Sequence, residues 1–377
     1  MLARIAAKTL LYDWPKYAGI IVGITFTLCL VVLQTGFYQG FQRDITIIPD
    51  SFDADLWIAS KGLLTFDYPV PIDDFGHALA LQDPAVIAAS RITLSWVTWR
   101  QADVGLNEMV VLVGYEPESG ISFDTGSAFD PRIALQGPGH VMIDAKDHGK
   151  LGLHTAAPQT GELFERTAIV AGLMRDRRLF TTAPLVLMNF NDSVDFARLP
   201  EFTTHYIALK THDEIGAAET RERLQARLPE YRVFTAQEMH NLSQNYWKSQ
   251  TGIGPLMFLT AALAAVVGFL TVLATSYIII LQKLPMLAAL RAIGASLFEL
   301  GTIVAAQISI ALLIGISLGG ILIFLAVVVI EQTIISLVLA PGVVALAVVG
   351  IASASYIACI PALWKLARTD PAIAFRT

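Results

Sequence analysis

Four long stretches without a charged residue constrain this chain more than any other feature. No Asp, Glu, Lys or Arg occurs in residues 17–42, 249–282, 300–330 and 332–364. About 20 consecutive apolar residues are enough for a helix to cross the hydrocarbon core of a bilayer. The stretches therefore predict four membrane-spanning helices, at 17–41, 253–281, 301–330 and 341–364.

The charged residues are concentrated between the first and second predicted spans. Residues 43–248 hold 18 of the 26 Lys and Arg and 28 of the 32 Asp and Glu, which gives a net charge of −10. Such a composition is typical of a domain that folds in water. We therefore predict a membrane α-helical protein with a large, acidic, mixed α+β extracytoplasmic domain at 42–252, inserted between helices 1 and 2.

The eight basic residues outside this domain predict its orientation in the membrane. Three precede the first span, two lie at 282–300 and three at 365–377, and the same segments hold only three acidic residues. Basic residues close to span ends stay in the cytoplasm. Both termini and the 282–300 loop are thus expected inside, with 1–16 as an amphipathic segment on the membrane surface. The acidic domain and the short loop at 331–340 are expected outside.

The first apolar stretch is expected to remain as a membrane anchor. It is longer than the apolar core of a signal peptide, and no small-residue cleavage site follows it. Cys29 and Cys359 both lie inside predicted spans, so the domain between them has no cysteine for a disulfide. The domain must therefore be stabilised by its own apolar core.

Alternating and β-branched residues predict strands in the acidic domain. They fall at Ala54–Ser60, Ile92–Arg100, Glu108–Tyr115, His140–Asp144, Arg166–Ala171, Leu185–Phe190, His205–Leu209 and Tyr231–Phe234. Helical patterns cover Asp73–Leu81 and Asp213–Leu228. Thr235, followed three residues later by Glu238, predicts a capping box at the start of another helix. The Gly-, Asp- and Ser-rich residues 119–130 are the expected boundary between two subdomains.

Glycines four residues apart occur in the first and third predicted spans. Gly315-Ile-Ser-Leu-Gly319 also matches the G-x-S-x-G pattern of hydrolases, but that pattern requires a strand-to-helix turn and a nearby histidine. No predicted span contains a histidine. Small residues at this spacing let helices approach closely. We therefore predict helix packing at Gly19, Gly23, Gly315 and Gly319, and the pair Gly36 and Gly40 has the same spacing.

No residue pattern predicts a catalytic, metal or cofactor site. His140, His148 and His154 lack the spacing of the usual zinc sites. The chain has no G-x-x-x-x-G-K-[ST] loop, so it is not expected to bind ATP in that manner. The predicted spans also lack the Asp, Glu, Lys, Arg or His with which proton- and ion-coupled carriers work. We expect a non-catalytic chain whose energy comes from another polypeptide.

The loop between the second and third spans carries a short helical pattern. Pro285 is suited to the first turn of a helix, and Gly294 interrupts the pattern before the third span. The apolar residues fall on one helical face, at Leu287, Leu290 and Ile293. A plain connecting loop has no need of such a face. We predict a short cytoplasmic helix along the membrane surface, with its basic residues, Lys283 and Arg291, toward water.

The same loop carries a family resemblance. Leu290-Arg-Ala-Ile-Gly-Ala-Ser296 resembles the LRAIGAS signature of the FtsX-like permeases of ABC transporters, which include macrolide-exporter and lipoprotein-release proteins. The tail, Ile360 to Arg376, is similar to the terminal PA…A…DP…ALR motif of that family. One span, a large external domain and three further spans also follow the family's order. Length and the start of the chain are closest to the DevC-like branch.

The resemblance implies a permease subunit in a bacterial inner membrane. Its expected partners are two copies of a separate ABC ATPase, which holds the ATP and Mg, a second permease subunit in a homodimer, and membrane lipids. Export of a lipid, glycolipid, peptide or small amphiphile would add an adaptor protein and an outer-membrane duct. The alternatives are lipoprotein extraction and a cell-division-type scaffold that activates wall hydrolases. No nucleic-acid partner is expected.

The resemblance also assigns the residues that contact the ATPase. They are Met286, Leu287, Leu290, Arg291, Ile293 and Gly294. The family usually has an acidic residue where this chain has Met286. The docking surface is therefore expected to be more apolar than in other members.

Overall fold

The computed structural model describes residues 14–102, 105–153, 159–212, 214–331, 333, 336–361 and 364. The chain divides into two compact units. The helical unit comprises Met1–Gln39, Leu256–Glu331 and Leu337–Thr377, and the α/β unit comprises Gly40–Pro255 and Gln332–Ser336. The predicted amphipathic segment up to residue 13 and the predicted tail at 365–377 lie outside the described residues.

The helices of the described chain fall in both units. In chain order they are α1 Trp14–Ile45, α2 Ile47–Ser51, α3 Phe75–Ala80, α4 Pro131–Ala134, α5 Phe190–Phe196, α6 Glu214–Arg227, α7 Ala236–Asn245, α8 Ile253–Gln282, α9 Leu284–Ala292, α10 Leu297–Glu331 and α11 Pro341–Ile357. A π-helix covers Tyr246–Gln250, between α7 and α8. Short 3-10 turns occur at Pro117–Ser119 and Ala145–Asp147.

The strands all belong to the α/β unit. They are β1 Leu56–Ser60, β2 Ile72–Asp73, β3 Val86–Gln101, β4 Asn107–Tyr115, β5 His140–Asp144, β6 Gln159–Leu163, β7 Arg166–Met174, β8 Leu185–Asn189, β9 Thr203–Thr204, β10 Tyr206–Thr211 and β11 Tyr231–Thr235. Nine of them form one sheet in the order β11-β1-β10-β3-β4-β8-β5-β7-β6. The β4–β8 and β5–β7 pairs are parallel and the other pairs are antiparallel.

Four helices are long and apolar enough to cross a membrane, which confirms the predicted fold class. They are α1, α8, α10 and the helix that begins at Pro341, with mean hydropathies of 2.2, 2.5, 2.9 and 2.3. Ile20, Ile24, Leu28 and Val32 of α1 are all buried. Residues four apart share one face of a helix, so α1 packs along a continuous apolar stripe inside the helical unit.

The long strand β3 makes the sheet of the α/β unit continuous. It pairs with β10 along residues 86–92 and with β4 along residues 93–100. β4 precedes residues 119–130 in the chain and β10 follows them. Because the 16-residue strand β3 pairs with both, residues before and after 119–130 belong to the same sheet and the same unit. The predicted boundary between two subdomains at 119–130 is therefore not present.

Each predicted strand overlaps a strand of the structure, but the sequence pattern missed part of the sheet. β2 and β9 have two residues each, and β6 (Gln-Thr-Gly-Glu-Leu) is polar. β3 also begins six residues before the predicted strand, because Ala88, Ala89 and Ser90 carry little β propensity but pair with β10. The capping box is confirmed: Glu238 N donates to Thr235 Oγ1 (3.1 Å), and Thr235 N donates to Glu238 Oε2 (2.9 Å).

Large aromatic side chains form much of the core of the α/β unit. Trp57, Phe66 and Tyr206 are fully buried. Phe66 stacks on Tyr206 with ring centroids 4.1 Å apart, and Trp57 meets Phe66 edge to face at 5.3 Å. Aromatic pairs in these arrangements contribute about 0.5–1.5 kcal/mol beyond the burial of their area. This core supports the sheet and the loops of the α/β unit.

Candidate functional site

The loop between α8 and α10 is helical, as its sequence pattern predicts. Pro285 lies in the first turn of α9, and Ile293 caps its end. Gly294 follows with a φ of +109°, a conformation that residues with a side chain rarely adopt. A further helix then begins at Ser296, whose hydroxyl accepts a hydrogen bond from Glu299 N (3.2 Å) while the Glu299 carboxylate accepts one from Ser296 N (2.9 Å). This second capping box is not among the sequence-based predictions.

The structure separates the six predicted ATPase contacts into an inward and an outward group. Leu287 is 1% exposed and packs in the core of the helical unit, while Met286, Leu290 and Arg291 are half-buried. Ile293 is 83% exposed, and Gly294 beside it is also exposed. Leu287 therefore fixes α9 to the unit that carries it, and the outward surface begins only where the helix ends.

Phe298 belongs to the same outward surface, although no sequence argument selected it. It is 85% exposed, and Leu297 next to it is also exposed. Among the large apolar side chains of the described chain, Ile293 and Phe298 are the two most exposed. We call Ile293, Gly294, Leu297 and Phe298 the loop surface. A sequence signal exists in retrospect, because two bulky apolar residues directly precede Glu299 outside the predicted span.

Lys283 lies inside the helical unit and not toward water, which corrects the prediction. It is 5% exposed, and its ammonium group lies 4.2 Å from the centroid of the Tyr17 ring and forms a hydrogen bond with the Tyr17 hydroxyl. A lysine over an aromatic face is attracted by the ring quadrupole. This attraction and the hydroxyl partner explain why the charge is held here, at the boundary of α8 and α9.

The predicted packing glycines differ in what they contact. An ideal Cβ on Gly315 would lie 2.7 Å from Ile24, and one on Gly319 would lie 2.9 Å from Leu28, so both glycines let α10 approach α1 closely. Thr25 Oγ1 donates to the Gly315 carbonyl at 3.0 Å across the same contact. A Cβ on Gly23 would meet Thr275 of α8 at 3.4 Å, whereas Gly19 has open space around it among the described residues.

Gly36 and Gly40 are packed by extended chain and not by a helix. In the helical unit, Val338 N donates to the Gly36 carbonyl (3.2 Å), and a Cβ on Gly36 would lie 2.7 Å from Leu337. In the α/β unit, a Cβ on Gly40 would lie 2.3 Å from the Ser336 carbonyl oxygen. The segment after α10 therefore lies directly along these glycines.

A loop of the α/β unit contacts three segments that adjoin candidate spans in the sequence. The Phe180 ring meets Phe41, near the end of α1, at 5.5 Å and Trp247, in the π-helix before α8, at 4.4 Å. The buried Arg178 donates from Nη1 to the carbonyl of Thr333, which follows α10 (2.8 Å). We call Phe41, Arg178, Phe180, Trp247 and Thr333 the junction. Single π-helical turns are rare and occur frequently at functional sites.

A buried carboxyl group forms a hydrogen bond with one of the junction residues, Trp247. Asp67 is 6% exposed and accepts hydrogen bonds from Trp247 Nε1 (2.7 Å) and Thr65 Oγ1 (3.2 Å). Burial raises the pKa of Asp67 to about 6, even though both hydrogen bonds favour the charged form. The carboxyl therefore orients the Trp247 indole that packs against Phe180.

The structure describes two of the three histidines that were considered for a metal site, His140 and His148. Within the described chain, no group of three or more His, Cys, Asp or Glu side chains is arranged to hold a metal ion. His140 Nδ1 lies 3.2 Å from the Ala134 carbonyl oxygen, and His154 lies outside the described residues. Asp144 and Asp147 are buried, and burial followed by the charge of Asp144 raises the pKa of Asp147 to about 7.

Comparison with known proteins gives similarity to solved structures only. No protein-family model and no curated protein matches the chain. The periplasmic region of MacB from Actinobacillus actinomycetemcomitans aligns with a TM-score of 0.38 and 12% identity, over 54% of this chain and 96% of that one. The extracellular domain of the noncanonic ABC-type transporter YknZ from Gram-positive bacteria aligns with a TM-score of 0.35 and 13% identity, over 48% and 98%.

Proposed function

We propose that this chain is the permease subunit of an ABC transporter of the mechanotransmission type, driven by a separate ATPase. One observation carries the proposal. The loop surface presents Ile293 and Phe298 almost fully exposed on either side of Gly294. Ile293 and Gly294 lie within the segment that resembles the LRAIGAS signature, and Phe298 follows it by two residues. In the proposed orientation this loop is cytoplasmic and the α/β unit is extracytoplasmic, as the distribution of basic residues favours.

The loop surface has the properties of a small protein-docking site. Burying an isoleucine or phenylalanine side chain contributes about 1.5–3 kcal/mol, and a few such anchors carry most of the energy of an interface. Leu287, packed inside the helical unit, holds α9 in place. Force applied to Ile293 and Phe298 would then reach α8 and α10 without being absorbed by a flexible connection.

We place the output of this movement at the junction. Within the α/β unit it brings together a residue near the end of α1, one before α8 and one after α10. A shift of any of these helices along its axis would act on the same loop. The proposed transporter therefore moves its extracytoplasmic domain and does not depend on ionisable groups in the spans.

The assembly and cargo follow from the family resemblance and belong to the proposal. We expect a homodimer with two ATPase copies and export of a lipid, glycolipid, peptide or small amphiphile through an adaptor and an outer-membrane duct. Lipoprotein extraction and activation of wall hydrolases are the alternatives. They differ in what the α/β unit binds: an adaptor, a carrier lipoprotein or a hydrolase.

The coupling claim is tested by coexpressing the full chain with an ABC ATPase of the same genome. Ile293→Asp combined with Phe298→Asp should abolish copurification and reduce stimulated ATP hydrolysis in nanodiscs at least tenfold. Two buried aspartates at the interface would cost several kcal/mol, and about 1.4 kcal/mol corresponds to a factor of ten.

The matched control is Ile133→Asp combined with Phe202→Asp, which changes the same number of exposed apolar residues in the α/β unit. It should leave both readouts unchanged. Robust ATP hydrolysis by the isolated chain, or full stimulation of the ATPase by the Ile293 and Phe298 double variant, would refute the proposal.

A further inference from the structure

A groove of about 450 Å³ lies in the α/β unit, between the end of β4 and the start of α4. Its lining includes Tyr115, Glu118, Phe123, Phe129, Asp130 and Arg132. None of these residues belongs to the junction or to the loop surface. The groove is within the size range of pockets that hold a small ligand or an inserted side chain.

The floor of the groove holds a tyrosine whose hydroxyl lacks a protein partner. Tyr115 is 1% exposed, and its ring packs edge to face against Phe52 at 5.6 Å. Its hydroxyl makes no hydrogen bond with any described residue. By contrast, the Tyr206 hydroxyl donates to the Phe66 carbonyl (2.8 Å), and the Tyr231 hydroxyl donates to Asp73 (2.5 Å). The Tyr115 hydroxyl is not fully enclosed by protein, because Tyr115 lines the groove, so this hydroxyl is available to a ligand.

The charges at the rim are mainly negative. Asp130 is paired with Arg132 (2.9 Å), and Asp124 is paired with Arg177. Glu118 is exposed and has no ion pair within the described chain. Burial first, and then the nearby charge of Asp130, raises the pKa of Tyr115 far above its usual value. Glu118 and Arg132 also act on this hydroxyl, so the rim charges lie close to the floor.

An apolar edge adjoins these polar groups. Phe129 lines the groove and is about half exposed, and Ile133, one turn further along the chain, is largely exposed. Exposed aromatic and aliphatic side chains next to a polar pocket are typical of protein interfaces, in which tyrosine and arginine carry much of the energy. The groove thus combines an unpaired carboxylate, a free hydroxyl oxygen and an aromatic face.

We propose that this groove binds an arginine side chain presented by a partner protein. The guanidinium would donate to the Glu118 carboxylate and the Tyr115 hydroxyl oxygen, with its planar face or its stem against Phe129. An anion would be repelled by the unpaired carboxylate of Glu118, and an apolar group would leave this carboxylate and the Tyr115 hydroxyl without a partner. Arginine suits the site better than lysine, because its fork reaches two acceptors and stacks on aromatic rings.

The overall charge of the domain supports a basic partner. Residues 43–248 carry a net charge of −10, which attracts a basic surface over the Debye length before contact. The inference does not rest on the proposed transport function. It holds for any basic protein that approaches the α/β unit, and a test of binding leaves ATPase coupling untouched.

The test uses the full chain in phosphatidylcholine nanodiscs and ligand-observed NMR. The probe is the tripeptide Ac-Ala-Arg-Ala-NH2, with Ac-Ala-Gln-Ala-NH2 as the neutral comparison and empty nanodiscs as the blank. We expect saturable binding of the arginine peptide only. Glu118→Gln should weaken it about fivefold or more, and Tyr115→Phe about threefold, as expected for a charged and a neutral hydrogen bond.

Glu230→Gln is the matched control, because it removes the same charge from an exposed position elsewhere in the domain. It should leave the affinity unchanged. Tyr115→Phe keeps the ring and removes only the unpartnered hydroxyl, so it should fold normally. The proposal is overturned if the arginine peptide does not bind, if the glutamine peptide binds equally well, or if Glu230→Gln weakens binding as much as Glu118→Gln.

Discussion

The helical unit and the α/β unit use apolar residues in opposite ways. The α/β unit buries large side chains such as Trp57, Phe66 and Tyr206, whereas α10 is the most apolar helix and leaves most of its residues on the surface. Its contact with α1 is made by glycines and a threonine. In lipid an exposed leucine costs nothing, so helices associate through close packing and interhelical hydrogen bonds. An exposed apolar residue can therefore be interpreted only when it is known whether water or lipid surrounds it.

The largest effect on stability should come from removing a large buried side chain from the α/β unit. Removing a large exposed side chain from the helical unit should have little effect. Trp99 is fully buried in the α/β unit, and its Nε1 donates to the Leu151 carbonyl (3.1 Å). Trp99→Ala should lower the unfolding free energy by about 3–5 kcal/mol. Phe324→Ala, on the exposed face of α10, should change it by less than about 1 kcal/mol in nanodiscs. Equal losses in denaturant unfolding would contradict the comparison.

The second effect concerns a buried carboxyl group, Asp67 of the α/β unit. The uncharged stretches of the predicted spans contain no Asp or Glu. The Asp67 carboxyl has a pKa of about 6 when folded and about 4 when unfolded. The unfolded chain therefore releases this proton first as the pH rises, and the stability falls between about pH 4 and pH 6.

Asp67→Asn should remove that loss, because an amide oxygen still accepts the hydrogen bond from Trp247. The variant should be more stable than the parent by about 2–3 kcal/mol at pH 7.5 and nearly equal to it at pH 4. Thermal unfolding across this pH range measures the difference. A pH-independent offset between the two proteins would show that burial of the charge is not its cause.

A methyl group at a packing glycine should separate two helices of the helical unit. Gly315→Ala places a Cβ 2.7 Å from Ile24 and should destabilise the unit by about 1–3 kcal/mol through overpacking. Gly320→Ala is the matched control on the same helix, because nothing lies within 4 Å of its Cβ. Unfolding in nanodiscs should show no loss for the control, and an equal loss at both positions would remove the packing explanation.

The smallest effect should come from removing the side-chain hydrogen bond at a helix N-cap. The same type of hydrogen bond caps a helix in both units. Thr235→Ala in the α/β unit and Ser296→Ala in the helical unit each remove an N-cap hydroxyl. Each should cost about 1 kcal/mol, and Thr235→Ser should restore most of the loss. A much larger cost at Ser296 would mean that this helix end is shielded from water.

Local patterns predicted much of the fold because their causes are local. The capping box at Thr235 needs only four residues, and the strands of the central sheet are marked by β-branched residues within each segment. The continuity of the sheet across residues 119–130 was missed, because it depends on β3 pairing with β10, which lies more than 100 residues away.

The sequence pattern predicted a helix in the loop at 282–300, but not which of its residues are exposed. The loop at 282–300 could be selected from its sequence, yet helical periodicity assigned Leu287 and Ile293 to one surface. In the structure α9 ends at Ala292, and the left-handed Gly294 redirects the chain, so Ile293 and Phe298 face outward and Leu287 inward. Phe180 carried no signal, because it acquires its role from Phe41 and Trp247, which are distant in sequence. Tyr115 carried none either, because its burial depends on packing against Phe52 in the folded core.

The sequence by itself determined which segments can lie in a membrane and which must fold in water, because the free energy of transfer depends on composition along the chain. It also determined most of the strands and helix starts. Only the tertiary structure decided which apolar residues remain free to bind a partner and which polar groups remain without one. Burial and hydrogen-bond satisfaction depend on the packing of residues far apart in the chain, and no local pattern encodes them.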